Sequence, residues 1–104
     1  MRATEPIEVR QTREFANWFE SLRDERAKAR VLARVRRLSL GNFGDVKPLG
    51  GGLSELRIDY GPGYRLYLSR TGPTLVLLLA GGDKSRQRAD IVGARQLLAT
   101  LESD

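Results

Sequence analysis

Three clusters of residues in this chain have the types and spacing to act on an anion. Glu55, Arg57, Asp59, Arg65 and Tyr67 alternate with apolar residues through LSELRIDY and YRLYLS. Alternation puts every second residue on one face of a strand, so these five share one face of a predicted hairpin. Arg26, Arg30, Arg34 and Arg37 recur at helical spacing, with Lys28 and Arg36 nearby. Lys84, Arg86 and Arg88 stand at the start of another predicted helix, whose free amides also favour an anion. Guanidinium and ammonium groups in such arrays suit phosphate contact or an acidic partner segment. They equally suit an ordinary solvated face, since exposed sheet and helix surfaces are usually polar.

Composition removes several other chemistries. The 104 residues include no cysteine and no histidine. A disulfide framework, a zinc–thiolate site, a Ser–His–Asp triad and a histidine-ligated metal are therefore excluded. No metal or cofactor is expected. The formal net charge of +5 suits a polyanion or an acidic protein partner. Residues 1–104 are read as one domain with a single modest core. No signal-peptide pattern and no apolar run of bilayer-spanning length is seen, so a cytoplasmic location without membrane association is expected.

The elements that must position these clusters follow from periodicity. After a polar lead over 1–6, Ile7–Arg10 is a candidate strand. Thr12 is placed to cap a helix from Arg13 to near Leu22, with Phe15, Trp18, Phe19 and Leu22 as its apolar face. Asp24 is placed to cap a second helix, ending near Leu40, that buries Ala27, Val31, Val35 and Leu38. Gly41 ends that helix. The loop Asn42–Gly52 has room for a short strand around Val46–Leu49, and its glycines read as turn-makers, since no GxGxxG or Lys-Ser/Thr pair is present.

Three consecutive strands are predicted over Leu53–Tyr60, Tyr64–Ser69 and Leu75–Ala80. The last is apolar throughout, as a strand covered on both sides would be. A three-residue turn at Gly61-Pro62-Gly63 would set Tyr60 opposite Tyr64, Asp59 opposite Arg65 and Arg57 opposite Tyr67. A final helix to near Leu101, capped by Asp83 or Ser85, carries Ile91, Ala94, Leu98 and Leu101 as a stripe for the sheet or for a partner.

Two runs, GNFGDVKPLGGGLSELRIDYGPGYRLYL (Gly41–Leu68) and LLLAGGDKSRQRADI (Leu77–Ile91), resemble the RelE/ParE toxin superfamily and, within it, the HigB-like addiction module killer branch. The first is similar to that branch's Lys-Pro-Leu/Val, Glu-Leu-Arg and Gly-x-x-Tyr-Arg pattern. The second is similar to its junction of strand, Gly-Gly-Asp-Lys and helix. The resemblance implies an α+β fold of order β-α-α-β-β-β-α, with a twisted, mainly antiparallel sheet and two N-terminal helices on one face. It also implies a toxin of a type II toxin–antitoxin pair, held inactive by a cognate antitoxin protein. Operator DNA would be contacted only indirectly, through the antitoxin.

Carried over by position, the family's cleft corresponds to Lys47, Arg57, Arg65, Tyr67, Asp83, Lys84 and Arg86. Many members cleave mRNA in the ribosomal A site, which makes this chain an expected metal-independent endoribonuclease acting on ribosome-bound mRNA. Arg65, Lys84, Tyr67, Arg57 and Asp83 are the catalytic candidates, and Lys47, Arg86, Arg88, Arg30, Arg34 and Arg37 the RNA-binding ones. Cleavage by 2′-OH attack requires proton transfer and a stabilised pentavalent phosphate. Cations supply the second. For the first, without histidine, Tyr67, Lys84, Asp83 and Glu55 are the candidates, and clustered positive charge is expected to lower the pKa of Tyr67 or of a neighbouring lysine. The chain departs from the family where nucleases place a tyrosine or arginine in the last helix; here stand Gln87, Arg88 and Asp90. A ParE-like gyrase inhibitor, or an inactive module that binds antitoxin or nucleic acid, are the alternatives on the same fold.

Overall fold

The computed structural model describes residues 6–103, so most of the lead, residues 1–5, lies outside the described residues. The elements are β1 (Glu8–Gln11), α1 (Arg13–Ser21), α2 (Glu25–Ser39), β2 (Val46–Gly50), β3 (Leu53–Ile58), β4 (Tyr64–Thr71), β5 (Leu75–Asp83) and α3 (Gln87–Glu102), with a 3-10 turn at Lys84–Arg86. The sheet order is β1-β5-β4-β3-β2. β1 runs parallel to β5, and the other neighbours are antiparallel.

The caps of α1 and α2 follow the sequence, whereas the expected capping of the last helix by Asp83 or Ser85 is not found. Thr12 Oγ1 accepts from Phe15 N at 3.0 Å and donates to Leu79 O at 2.6 Å, so one side chain both starts α1 and ties it to β5. Asp24 Oδ1 accepts from Arg26 N and Ala27 N at the start of α2. Gly41, at φ +92°, lets its own amide reach Leu38 O and that of Asn42 reach Arg37 O, a Schellman ending. Asp83 caps the 3-10 turn by accepting from Ser85 N; α3 itself begins after Arg86 with no side-chain cap.

The sheet is covered on both faces. Phe15, Ala27, Val31 and Leu38 pack from α1 and α2 against Leu56, Ile58, Leu66, Leu68, Val76 and Leu78. On the opposite face Ala94 and Leu98 of α3 pack against Leu53, Tyr67 and Leu79. Ile91, Ala94 and Leu98 of the α3 stripe thus serve the core while Leu101 is exposed, and β5 is sandwiched as its unbroken apolar run required.

Two expectations are corrected. The short strand around Val46–Leu49 is a full edge strand, β2, so the order is β-α-α-β-β-β-β-α; Pro48 is accommodated there because an edge strand has one side without a ladder. The β3–β4 connection has five residues, 59–63, in place of the three expected. Tyr60 leaves the ladder: its amide donates to Ile58 O, its carbonyl accepts from Gly63 N, and its hydroxyl donates to Asp24 at 2.9 Å. The register shifts by two, so Arg57 faces Arg65 and Glu55 faces Tyr67. A shift of two keeps every side chain on its predicted face and changes only its neighbours.

Candidate functional site

On the α3 face the register lays out two rows. Lys47, Glu55, Tyr67 and Ala80 form one; Arg57, Arg65 and Gly82 form the next, towards the β3–β4 turn. Arg57 and Arg65 are thus directly opposed, an arrangement that repels unless each has a counter-charge. Each has its own. Arg57 Nη2 donates to Asp45 Oδ1 at 3.0 Å, at the surface. Arg65 Nε donates to Glu55 Oε2 at 2.9 Å, beneath the surface.

Glu55 is the buried carboxylate of the site, 1% exposed. Its Oε2 also accepts from Gln87 Nε2 at 2.6 Å, so the first turn of α3 clasps the ion pair from above. Arg65 Nη1 donates to Gly63 O at 2.7 Å. Gly63 has φ +81°, and a Cβ there would stand 3.0 Å from Arg65 Nη1 and 3.5 Å from Lys84 Cβ. Glycine at this position therefore lets the turn, Arg65 and Lys84 pack together. Two of the three donor atoms of Arg65 are fixed, and Nη2 has no partner among the described residues.

Above the ion pair lies an open cleft of about 460 Å³, with Arg57, Arg65 and Lys84 as its cations and Asp45 and Asp59 as its acids. Gly61, Pro62 and Gly63 form one wall. Lys84 is exposed and makes no ion pair among the described residues.

The other candidate residues are placed differently. Tyr67 is fully buried under α3, and its hydroxyl has no hydrogen-bond partner among the described residues. Burial first, then the negative charges of Glu55 and Asp90, push its pKa up, against the expectation that clustered arginines would lower it. Asp83 accepts from Ser85 N as a cap. Lys47, Arg86 and Arg88 are exposed but do not line the cleft. Arg86 Nε lies 4.0 Å from Asp90 Oδ1. On α2, Arg30 and Arg37 are exposed, whereas Arg34 is partly buried and donates to Arg57 O at 2.6 Å and Phe43 O at 3.3 Å. Arg34 is therefore tethered to the backbone, which fixes the position of its charge.

Gln87 and Asp45 belong to the site although the sequence does not mark them as site residues. Their signal is weak, because each reaches the site only through contacts distant in sequence. Gly81 and Gly82 have a packing role. A Cβ on Gly81 would strike the Trp18 ring and one on Gly82 the Asp90 carboxylate, so α1 and α3 approach the end of β5 from opposite sides. Asp90 Oδ2 is buried without a partner among the described residues, and burial raises its pKa.

No family model matches the chain. An uncharacterised protein of Haemophilus influenzae is 48% identical over 95 residues, 91% of this chain and 96% of that protein. A chain of the RelBE2 toxin–antitoxin complex from Mycobacterium tuberculosis superposes with a TM-score of 0.62 and 26% identity, over 76% of this chain and 99% of that one. Among the described residues no helix is long and apolar enough to cross a membrane. This chain belongs to one family with the Haemophilus influenzae protein, and its fold is that of the RelE-like toxin superfamily.

Proposed function

We propose that the protein is the toxin of a toxin–antitoxin pair and cleaves mRNA on the ribosome in the cytoplasm. The observation that carries the reading is that a rigidly held Arg65 and a Lys84 with no ion pair among the described residues line one open cleft, on a fold shared with a chain of a toxin–antitoxin complex. Arg65 is preorganised by Glu55 and Gly63, so it offers a fixed donor to the charge of a pentavalent phosphate. Lys84 and Arg57 flank it and hold adjacent phosphates. Tyr67 has no part in the chemistry because it cannot reach substrate. Lys84 is left as the proton-transfer candidate, and the ribosome completes the site by positioning the mRNA in line. Cleavage of free RNA is accordingly expected to be weak.

A second reading has its own observation. With Tyr67 buried and histidine absent, no cleft side chain has an ordinary pKa near neutrality, and two carboxylates share the lining. A toxin of this fold that binds its target without cleaving RNA, such as a gyrase inhibitor, needs no such group.

Induced expression in a bacterium with mapping of mRNA 5′ ends separates the two. Cuts at a fixed place within codons, lost in Lys84→Ala, support the nuclease. Growth arrest with intact mRNA and inhibited supercoiling supports the second reading. A HigB-like branch membership and an antitoxin partner belong to both.

A further inference from the structure

A second concavity, of about 310 Å³, lies on the other side of Asp59 and is lined by Arg30, Ala33, Arg34, Arg37, Ile58 and Asp59. Asp59 and Ile58 line the cleft as well, so the two hollows adjoin along the end of β3. We propose that this concavity is a second phosphate-binding site, which takes the RNA strand where it leaves the cleft. The proposal rests on the nuclease reading only for the identity of the strand.

Two of its three cations are held in place. Arg34 is tethered to the carbonyls of Arg57 and Phe43, so its charge is fixed in the wall. The Arg30 guanidinium lies over the Tyr60 ring at 4.6 Å, and Tyr60 is held by its hydrogen bond to Asp24. Arg37 is exposed and, like Arg30, makes no ion pair among the described residues. Three arginines thus face one lining acid, Asp59. Burial first, and next the charge of Arg37, lower the pKa of Arg34, with Asp45 opposing them. Planar guanidiniums in a concave site suit phosphate oxygens. An acidic helix is the weaker fit, because Ala33 and Ile58 are the only apolar residues lining the hollow.

The test is fluorescence anisotropy with a labelled, uncleavable 2′-O-methyl RNA nonanucleotide, titrated at several salt concentrations, with a trinucleotide in parallel. Arg30→Gln and Arg37→Gln change exposed side chains, so folding is retained; Arg26→Gln, exposed on the same helix, is the control. For the nonanucleotide, each of the two variants is expected to weaken binding and to flatten the dependence of log K on log salt by about 0.7 for each phosphate no longer neutralised. Arg26→Gln and the trinucleotide are expected to show no such change. The proposal is overturned if the wild type binds no nonanucleotide at low salt, or if the variants bind as the wild type does. It is also overturned if Arg26→Gln has the same effect, or if an acidic peptide of equal charge competes as well as RNA. None of these failures touches the mapping of mRNA cuts, which tests the nuclease reading separately.

Discussion

Glu55 and Arg65 sit on neighbouring strands one row apart, and their diagonal ion pair, Nε to Oε2 at 2.9 Å, is the buried charge pair of the α3 face. It joins stability to function. The same guanidinium that lines the cleft neutralises a carboxylate that has no access to water. Removing one partner of a buried pair leaves an uncompensated charge, at a cost of about 3–5 kcal/mol. Glu55→Ala and Arg65→Ala are each expected to lose stability on that scale, and the double variant less than the sum. Urea unfolding of the four proteins checks this. Loss of activity in Arg65→Ala alone would therefore confuse misfolding with the removal of a phosphate ligand, and Lys84→Ala or Arg57→Ala are the cleaner probes.

Tyr67→Phe separates chemistry from packing. A buried hydroxyl without a partner costs about 1–3 kcal/mol, so its removal is expected to leave stability unchanged or raised. Toxicity is expected to persist. Loss of toxicity in a stably folded Tyr67→Phe protein would restore the tyrosine to the mechanism.

How far the site is legible in the sequence depends on what each residue's neighbours are. Arg57, Arg65 and Lys84 can be placed together because strand alternation and the strand–helix junction are local signals, readable in a single sequence. Tyr67 alternates in step with Arg65 and so has the right face, yet it lies one row further from the turn, where α3 crosses the sheet. Alternation reports the face and not what covers it. The register error has a similar origin: Gly-Pro-Gly signals a turn but not how many residues it spans, and the exit of Tyr60 depends on Asp24, 36 residues away. The first two helices are legible almost to the residue because Thr12, Asp24 and Gly41 are local caps, whereas α3 starts at Gln87 without a side-chain cap. β2 is faint because its only neighbour is β3 and its sequence, VKPLG, carries little alternation.

Asp90 gives a pH signature. Burial raises its folded-state pKa above the unfolded value, so ionising it destabilises the fold. That penalty is absent below the unfolded pKa and grows as pH rises through the folded one. Asp90→Asn is expected to raise the Tm at pH 7, with the gain shrinking to nothing in acid. Thermal melts of both proteins from pH 3 to pH 7 measure it, and a gain constant with pH would contradict the assignment.

Gly81 tests the closeness of α1 to the sheet. A Cβ there would meet the Trp18 ring, and forced overpacking costs about 1–3 kcal/mol. Gly81→Ala is expected to lose that much stability, and Gly81→Ala with Trp18→Leu to recover part of it. Denaturant midpoints of the single and double variants decide.

The central claim is that Arg57, Arg65 and Lys84 form an RNA-cleaving site completed by the ribosome. Its most direct test uses purified protein, ribosomes programmed with a defined mRNA, and primer extension to locate cuts. The account predicts cleavage within the A-site codon of ribosome-bound mRNA, little cleavage of the same RNA alone, and loss of about 10²–10³ in rate for folded Lys84→Ala or Arg57→Ala. Intact mRNA on ribosomes saturated with folded wild-type protein, or full cleavage by both variants, would contradict it.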